Sequence, residues 1–114
     1  MTKSEREKRA VEEPIKKYLF SKGAYFFKVH GSAFMEPGIP DIVCCYKGLF
    51  LGIECKAPGK LDEQTEHQKI HEENIIKSNG IYLLTDNPND VIHLLEEIDN
   101  GKITRSWSWN QPYS

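Results

Sequence analysis

Residues 40–56 read P-D-I-V-C-C-Y-K-G-L-F-L-G-I-E-C-K, and this stretch decides the fold of the chain. Its two apolar runs, I-V-C-C-Y and L-F-L-G-I, are typical of β-strands, and the lysine-glycine pair between them favours a tight turn. Such a hairpin brings the carboxylates of Asp41 and Glu54 together at the strand ends. Lys56 follows Glu54 by two residues and therefore lies on the same face. Two acids and a lysine at one point suit a divalent cation and a water that attacks a phosphodiester.

The segment before the hairpin predicts a helix over residues 4–21. Val11, Ile15 and Leu19 recur every four residues among charged side chains, which gives one apolar stripe. Pro14 interrupts this pattern. Because proline fits the first turn of a helix, we expect the continuous helix to start near Glu12, with a looser turn before it.

The rest of the chain alternates predicted strands and helices. Asp62 is a reasonable N-cap for a helix after the hairpin, and an asparagine-glycine pair ends that helix. In chain order we predict a strand at 24–30, a loop at 31–39, the hairpin, a helix at 63–78, a strand at 81–85, a helix at 88–98, and a last strand or packing tail at 103–109. This order is α-β-β-β-α-β with a C-terminal helix, an α/β fold. We expect a mixed sheet, with the first helix on one face and the helix after the hairpin on the other.

Length and composition predict a single domain over residues 1–114. No apolar run approaches the roughly 20 residues that span a bilayer, and the polar N-terminus lacks the pattern of a secretory signal. Cys44, Cys45 and Cys55 are odd in number and lie in apparently buried strands, which favours reduced core thiols in a cytoplasmic protein over a disulfide or a zinc site.

The charge is distributed unevenly along the chain. Residues 1–60 hold 11 lysines and arginines against 7 acids, whereas residues 61–114 hold 4 against 10. The basic half contains the hairpin, so its lysines are candidates for contacts with phosphate, although each is equally compatible with a solvated face. The candidate phosphate-binding lysines are Lys16, Lys17, Lys22, Lys28, Lys47 and Lys60.

The P-D…E-x-K pattern resembles the restriction-endonuclease-like nuclease superfamily. The longer string G-I-P-D…G-L-F-L-G-I-E-C-K-A-P-G-K is similar to its VRR-NUC branch, in the small standalone form typical of phages. The resemblance runs from roughly Val11 to about Leu84. Four further features match in order: the acidic helix before the motif, the K-V-H-G-S segment at 28–32, Gln68 with His71, and the Asn79-Gly80 pair.

The resemblance implies additional residues at the site. In the family a glutamate on the first helix joins the metal site, and Glu12 occupies that place here, with Glu13 as the alternative. The main-chain carbonyl of Cys55 is implied as a further metal ligand. The family also places a glutamine on the helix after the lysine, which corresponds to Gln68, although Gln64 is available.

The segment after the first predicted strand is a candidate for contacts with DNA. Gly31 and Ser32 lie where backbone and hydroxyl can approach phosphate closely, and Lys28 adds a charge. An ordinary strand-to-loop transition is the equally plausible interpretation. The aromatic residues Trp107, Trp109 and Tyr113 are compatible with stacking on bases, but packing in the core or a dimer is favoured.

Together these features predict a Mg²⁺- or Mn²⁺-dependent DNA endonuclease. The superfamily leaves 5′-phosphate and 3′-hydroxyl ends. Because the chain has little beyond the core, we expect selection of branched DNA shape, such as a four-way junction, rather than of base sequence. A junction has two-fold symmetry, which suits a homodimer. The alternatives are a non-catalytic nucleic-acid-binding module and an α/β protein that acts through protein contacts.

Overall fold

The predicted α/β fold, with its α-β-β-β-α-β core and mixed sheet, is confirmed by a computed structural model that describes residues 1–31 and 35–103. Within these ranges lie a four-stranded sheet, three α-helices and a short 3₁₀ helix. The elements are α1 (Lys3–Ser21), β1 (Tyr25–Lys28), β2 (Ile42–Tyr46), β3 (Leu49–Cys55), η1 (Leu61–Glu63), α2 (Glu66–Lys77), β4 (Ile81–Thr85) and α3 (Asn89–Asp99). The predicted segment 103–109 and the C-terminal aromatic residues lie outside the described residues, apart from Ile103.

The predicted hairpin forms as expected from its sequence. Strands β2 and β3 are antiparallel, and Tyr46 pairs with Leu49 across the turn. Lys47 and Gly48 both have positive φ, 50° and 82°, as a two-residue turn that matches the strand twist requires. The strand order is β1-β2-β3-β4. Only the β3–β4 pair is parallel, because α2 provides the crossover between these strands.

The two faces of the sheet are covered by different helices. Helices α1 and α3 pack on one face and form the core with alternate strand residues. The buried core consists of Val11, Ile15, Leu19, Ile42, Cys44, Tyr46, Leu49, Leu51, Ile53, Cys55, Val91, Leu95 and Ile98. Helix α2 lies on the other face, so the predicted placement of helices on both faces is confirmed. There the Cδ1 atom of Ile75 approaches to 3.0 Å from the position that a Cβ on Gly52 would take.

The prediction that Pro14 delays the start of the first helix was wrong. Helix α1 runs continuously from Lys3, with Pro14 inside it. A proline in a helix interior costs about 3 kcal/mol because it removes one hydrogen bond and crowds the preceding turn. Two features offset this cost. Val11 and Ile15 are buried on either side of Pro14, and the Thr2 hydroxyl accepts from the Glu5 N–H at 3.1 Å, which caps the first turn.

The predicted start of the second helix was also wrong. Residues 61–63 form a separate 3₁₀ turn, and α2 begins at Glu66 with Thr65 as its N-cap. The Thr65 hydroxyl accepts from the Gln68 N–H at 3.1 Å, and the Gln68 side chain accepts from the Thr65 N–H at 2.9 Å. This reciprocal capping box satisfies two donors at once, whereas Asp62 offers only a single cap.

Asp99, at the end of α3, connects this helix to the end of α1 and to the β2–β3 hairpin. Its carboxylate pairs with Lys22 after α1 at 2.9 Å and with Lys47 in the hairpin turn at 2.6 Å, and it accepts from the Tyr46 hydroxyl at 2.7 Å. Hydrogen bonds from Lys47, Lys22 and Tyr46 hold the pKa of Asp99 far below its usual range. These two lysines, which were candidate phosphate contacts, therefore have a structural partner. No helix in the described ranges has the length and apolar character needed to cross a membrane.

The three cysteines are free thiols, but Cys45 departs from the predicted burial. Cys44 and Cys55 are buried, whereas Cys45 is exposed, because adjacent residues of β2 point to opposite faces. Burial raises the pKa of Cys44 to about 11, and burial together with the neighbouring acids raises the pKa of Cys55 far above the ordinary value.

We expect iodoacetamide to modify only Cys45 in the folded protein, because the thiolate is the reactive form and requires access to reagent. Peptide mass spectrometry after a short pulse measures this, with the same pulse in denaturant as the control that labels all three thiols. Modification of Cys55 in the folded protein at the rate of Cys45 would contradict the described packing.

Candidate functional site

Asp41 is the centre of the site. It immediately precedes β2, and the pairing of Ile42 with Ile53 places it opposite Glu54, as the sequence predicts. One carboxylate oxygen of Asp41, Oδ2, accepts from the Cys55 N–H at 2.8 Å. Its other oxygen, Oδ1, accepts from Lys8 Nζ at 3.0 Å. The hairpin therefore fixes this carboxylate between the end of β3 and helix α1.

Helix α1 contributes Glu12 rather than Glu13. Glu12 is 8% exposed, and its Oε2 atom lies 2.8 Å from Lys28 Nζ. The same ammonium is 3.4 Å from Asp41 Oδ1, so Lys28 links the helix-borne acid to the hairpin. Glu13 instead pairs with Lys16 at 3.0 Å on the exposed side of the helix. The geometry thus selects Glu12 between the two alternatives left by the sequence.

Glu54, Lys56 and Gln68 form the other side of the site. Glu54 is 1% exposed, and its Oε2 atom accepts from Gln68 Nε2 at 3.2 Å. Gln68 Oε1 accepts from Lys56 Nζ at 3.0 Å, and this ammonium lies 4.0 Å from Glu54 Oε2. Gln68 therefore positions both motif residues, while its alternative, Gln64, donates to Glu72 at 2.9 Å.

The protonation states follow from burial and charge together. Burial and the negative charge of Asp41 raise the pKa of Glu54 to about 8. Burial also pushes the pKa of Asp41 upward, but the Lys8 charge, hydrogen bonds from Glu54 and Cys55, and the Lys28 charge outweigh it and hold that pKa below its ordinary value. The pKa of Lys8 is raised because its acidic neighbours outweigh the effect of burial. Asp41 is thus the more readily ionised acid of the pair, and a further cation bound beside Glu54 would favour its ionisation.

Three of these side chains are close enough to hold a metal ion. One ligand atom each of Glu12, Asp41 and Cys55 lies within 4.8 Å of the other two. The Cys55 ligand atom in this group is the thiol sulfur, whereas the resemblance implied the main-chain carbonyl. Glu54 adds an unsatisfied oxygen, because its buried Oε1 atom has no hydrogen-bond partner among the described residues. Carboxylate oxygens that lack donors fit a hard divalent cation, so the residues present suit such an ion.

A cleft of about 220 Å³ opens beside Asp41. It is lined by Val29, Gly31, Met35, Glu36, Pro37, Gly38, Ile39 and Asp41. Gly31 therefore borders the site, in agreement with its predicted position near the strand end. Ser32 lies outside the described residues. Lys60 is exposed and pairs with Glu63 at 3.6 Å, which places it on the loop surface rather than in the carboxylate cluster.

Two residues of the site escaped the sequence analysis. Lys8 reaches Asp41 and Glu54 because α1 runs continuously from Lys3 through Pro14, so that Lys8 lies on the helix four residues before Glu12. Gly38 has a φ of +86°, and a Cβ there would lie 2.5 Å from the His67 carbonyl carbon and 2.8 Å from the Gln68 nitrogen. The signal for Lys8 was its spacing of four residues from Glu12. The signal for Gly38 was its place two residues before Pro40 in the G-I-P-D string.

No protein-family model and no curated protein sequence matches this chain.

Proposed function

We propose that this protein is a Mg²⁺- or Mn²⁺-dependent DNA endonuclease that hydrolyses phosphodiester bonds. The observation that carries the proposal is that Asp41 and Glu54 from the hairpin and Glu12 from helix α1 form one cluster through shared lysine contacts, and that Lys56 lies beside Glu54. Glu12 and Glu54 are buried and Asp41 is partly buried, and carboxylates grouped in this way repel each other when ionised unless cations are present. Oxygen-only side chains of this kind are those that Mg²⁺ and Mn²⁺ prefer.

Each residue has a role that follows from its position. Asp41, Glu54 and Glu12 would hold the metal through their oxygens, with the main-chain carbonyl of Cys55 as a ligand implied by the resemblance. When bound, the metal supplies charge neutralisation on the phosphate and a more acidic water. Lys56 places its ammonium beside Glu54, where it orients the attacking water and stabilises the charge that develops on phosphate. Gln68 holds the Lys56 ammonium in that direction.

The substrate class we propose is branched DNA, such as a four-way junction. The described residues form a sheet and helices around the site, and a 220 Å³ cleft is too small to enclose a duplex. Selection of DNA by shape and by backbone contacts fits such a surface. Gly31, Ser32, Lys28 and Lys60 remain the proposed contacts to phosphate, and a homodimer would match the two-fold symmetry of a junction.

A non-catalytic nucleic-acid-binding module is the second candidate, and one observation favours it. Each acid of the cluster has a lysine beside it. The pairs are Lys8 with Asp41, Lys28 with Glu12, and Lys56 with Glu54. Three ammonium groups therefore match three carboxylates, so the cluster is able to persist as a buried ion-pair network without a metal.

A cleavage panel separates the candidates. We expect the full chain to cut a synthetic four-way junction only with Mg²⁺ or Mn²⁺, to leave 5′-phosphate ends, and to stop when EDTA is added. Single-stranded, duplex and flap DNAs of matched length are the comparison substrates, read by denaturing gel electrophoresis. Junction binding without cutting in any metal would favour the binding module. Neither binding nor cutting would instead favour a protein that acts through protein contacts.

A further inference from the structure

Among the described residues, Lys8 and Lys28 contact only carboxylates of the site, and Lys8 is the one that reaches both Asp41 and Glu54. It projects from α1, one turn before Glu12. Its Nζ atom lies 3.0 Å from Asp41 Oδ1 and 3.9 Å from Glu54 Oε2. Asp41 belongs to the group of side chains close enough to hold a metal ion, and Glu54 is the acid beside it. The ammonium therefore sits where a divalent cation and its charge would have to enter.

We infer that Lys8 is an exchangeable counter-ion, which neutralises Asp41 in the metal-free protein and contacts a DNA phosphate once a divalent cation has taken its place. The inference rests on the proposed function. Two cations about 4 Å apart repel each other strongly in a partly buried site. When Asp41 binds a divalent cation, the Lys8 ammonium therefore loses its most favourable position.

The other two lysines of the site are less able to move. The Lys56 side chain is only 12% exposed and donates to the Gln68 amide at 3.0 Å. The Lys28 side chain is 24% exposed and bridges Glu12 and Asp41 from strand β1. The Lys8 side chain is 34% exposed, with a flexible stem of four carbons. Lys56 has a neutral partner in Gln68, and Lys28 is less exposed than Lys8, so Lys8 is the lysine of the site with the greatest freedom to leave its carboxylates.

The Lys8 ammonium, once displaced from Asp41, is available to contact a DNA phosphate. Asp41 contacts Lys8 and also borders the cleft, so the displaced ammonium would remain near a phosphate that reaches the bound cation through this cleft. A lysine contact there adds one ion pair to the DNA complex. The same side chain thus opposes metal binding before the substrate arrives and favours substrate binding afterwards, so removing it should shift the two affinities in opposite directions.

The test compares Lys8→Met and Lys8→Gln with wild type as full chains. We expect Mn²⁺ affinity, measured by isothermal titration calorimetry without DNA, to increase at least about tenfold in both variants, because a competing charge is gone. At saturating Mn²⁺, we expect junction cleavage to fall about tenfold, and the salt dependence of junction binding to lose about one ion contact. Lys3→Met is the matched control, since Lys3 is on the same helix but is exposed and pairs with Glu7.

The outcomes separate this inference from the proposed function. If wild type takes up no Mn²⁺ with or without DNA, the proposed function fails and the inference fails with it. If wild type binds Mn²⁺ but both variants bind it equally or more weakly, the inference alone is overturned, and Lys8 is a structural ion-pair partner. Tighter Mn²⁺ binding with unchanged cleavage and salt dependence overturns the phosphate contact. Lys8→Gln keeps a donor for Asp41, so it provides these readouts if Lys8→Met does not fold.

Discussion

The substitution Asp41→Asn should reduce metal-dependent DNA cleavage by a factor on the order of 10³ or more. Asp41 is the carboxylate that connects the end of β3, helix α1 and strand β1 at the site. It accepts from Cys55 at 2.8 Å and from Lys8 at 3.0 Å, and Lys28 lies 3.4 Å away. An amide keeps the shape of this side chain but removes the negative charge. The loss of a hard, charged ligand weakens binding of Mg²⁺ or Mn²⁺. It also weakens the ion pairs with Lys8 and Lys28.

The measurement is the initial rate of junction cleavage across a range of Mn²⁺ concentrations, beside a thermal unfolding curve for each protein. Asp62→Asn is the matched control, because it makes the same chemical change at an exposed position of the 3₁₀ turn. We expect this control to cut at the wild-type rate. A folded Asp41→Asn protein that retains wild-type cleavage at all Mn²⁺ concentrations would contradict the assignment of Asp41 as a metal ligand.

The hairpin and its acid pair were predictable because their determinants are local. The lysine-glycine pair selects a two-residue turn, and this turn fixes the register that sets Asp41 opposite Glu54. The period of two then places Lys56 beside Glu54 without knowledge of any other element. Strand β4 was predicted with its observed bounds for a similar reason, since a short apolar run follows the asparagine that ends α2 with a φ of +68°.

The contribution of α1 depended on a balance that local rules do not decide. Proline disfavours a helix interior by an intrinsic cost, whereas burial of Val11 and Ile15 and the contact of Lys8 with Asp41 depend on the folded sheet. The tertiary contacts prevail, and they bring Lys8 into the site. The T-x-x-Q capping box at 65–68 was readable from the sequence. The effect of this capping box on the site was not readable from local rules, because the Gln68 side chain that caps the helix also contacts Lys56 from another element.

Gly38 is the position where a single added methyl group should have the second large effect. Its φ of +86° is unfavourable for any residue with a Cβ. A Cβ there would also lie 2.5 Å, 2.6 Å and 2.8 Å from backbone atoms of His67 and Gln68, which no side-chain rotation relieves. We expect Gly38→Ala to lower the free energy of unfolding by about 2–5 kcal/mol, the sum of conformational strain and overpacking. The cleavage rate should fall by more than the loss of folded protein accounts for, because Gln68 is displaced from Lys56 and Glu54.

Gly101→Ala separates strain from collision, because Gly101 also has a positive φ of +76° but no atom within 4 Å of its added Cβ. This control should cost only about 1–2 kcal/mol and leave cleavage unchanged. Urea unfolding curves give the two free energies, and junction cleavage at a temperature where both variants are folded gives the activity. Equal destabilisation of the two variants would mean that the loop before Asp41 does not press on the start of α2. Normal cleavage by a destabilised Gly38→Ala protein would contradict the second part of the prediction. It would show that Lys56 functions without Gln68 in its original position.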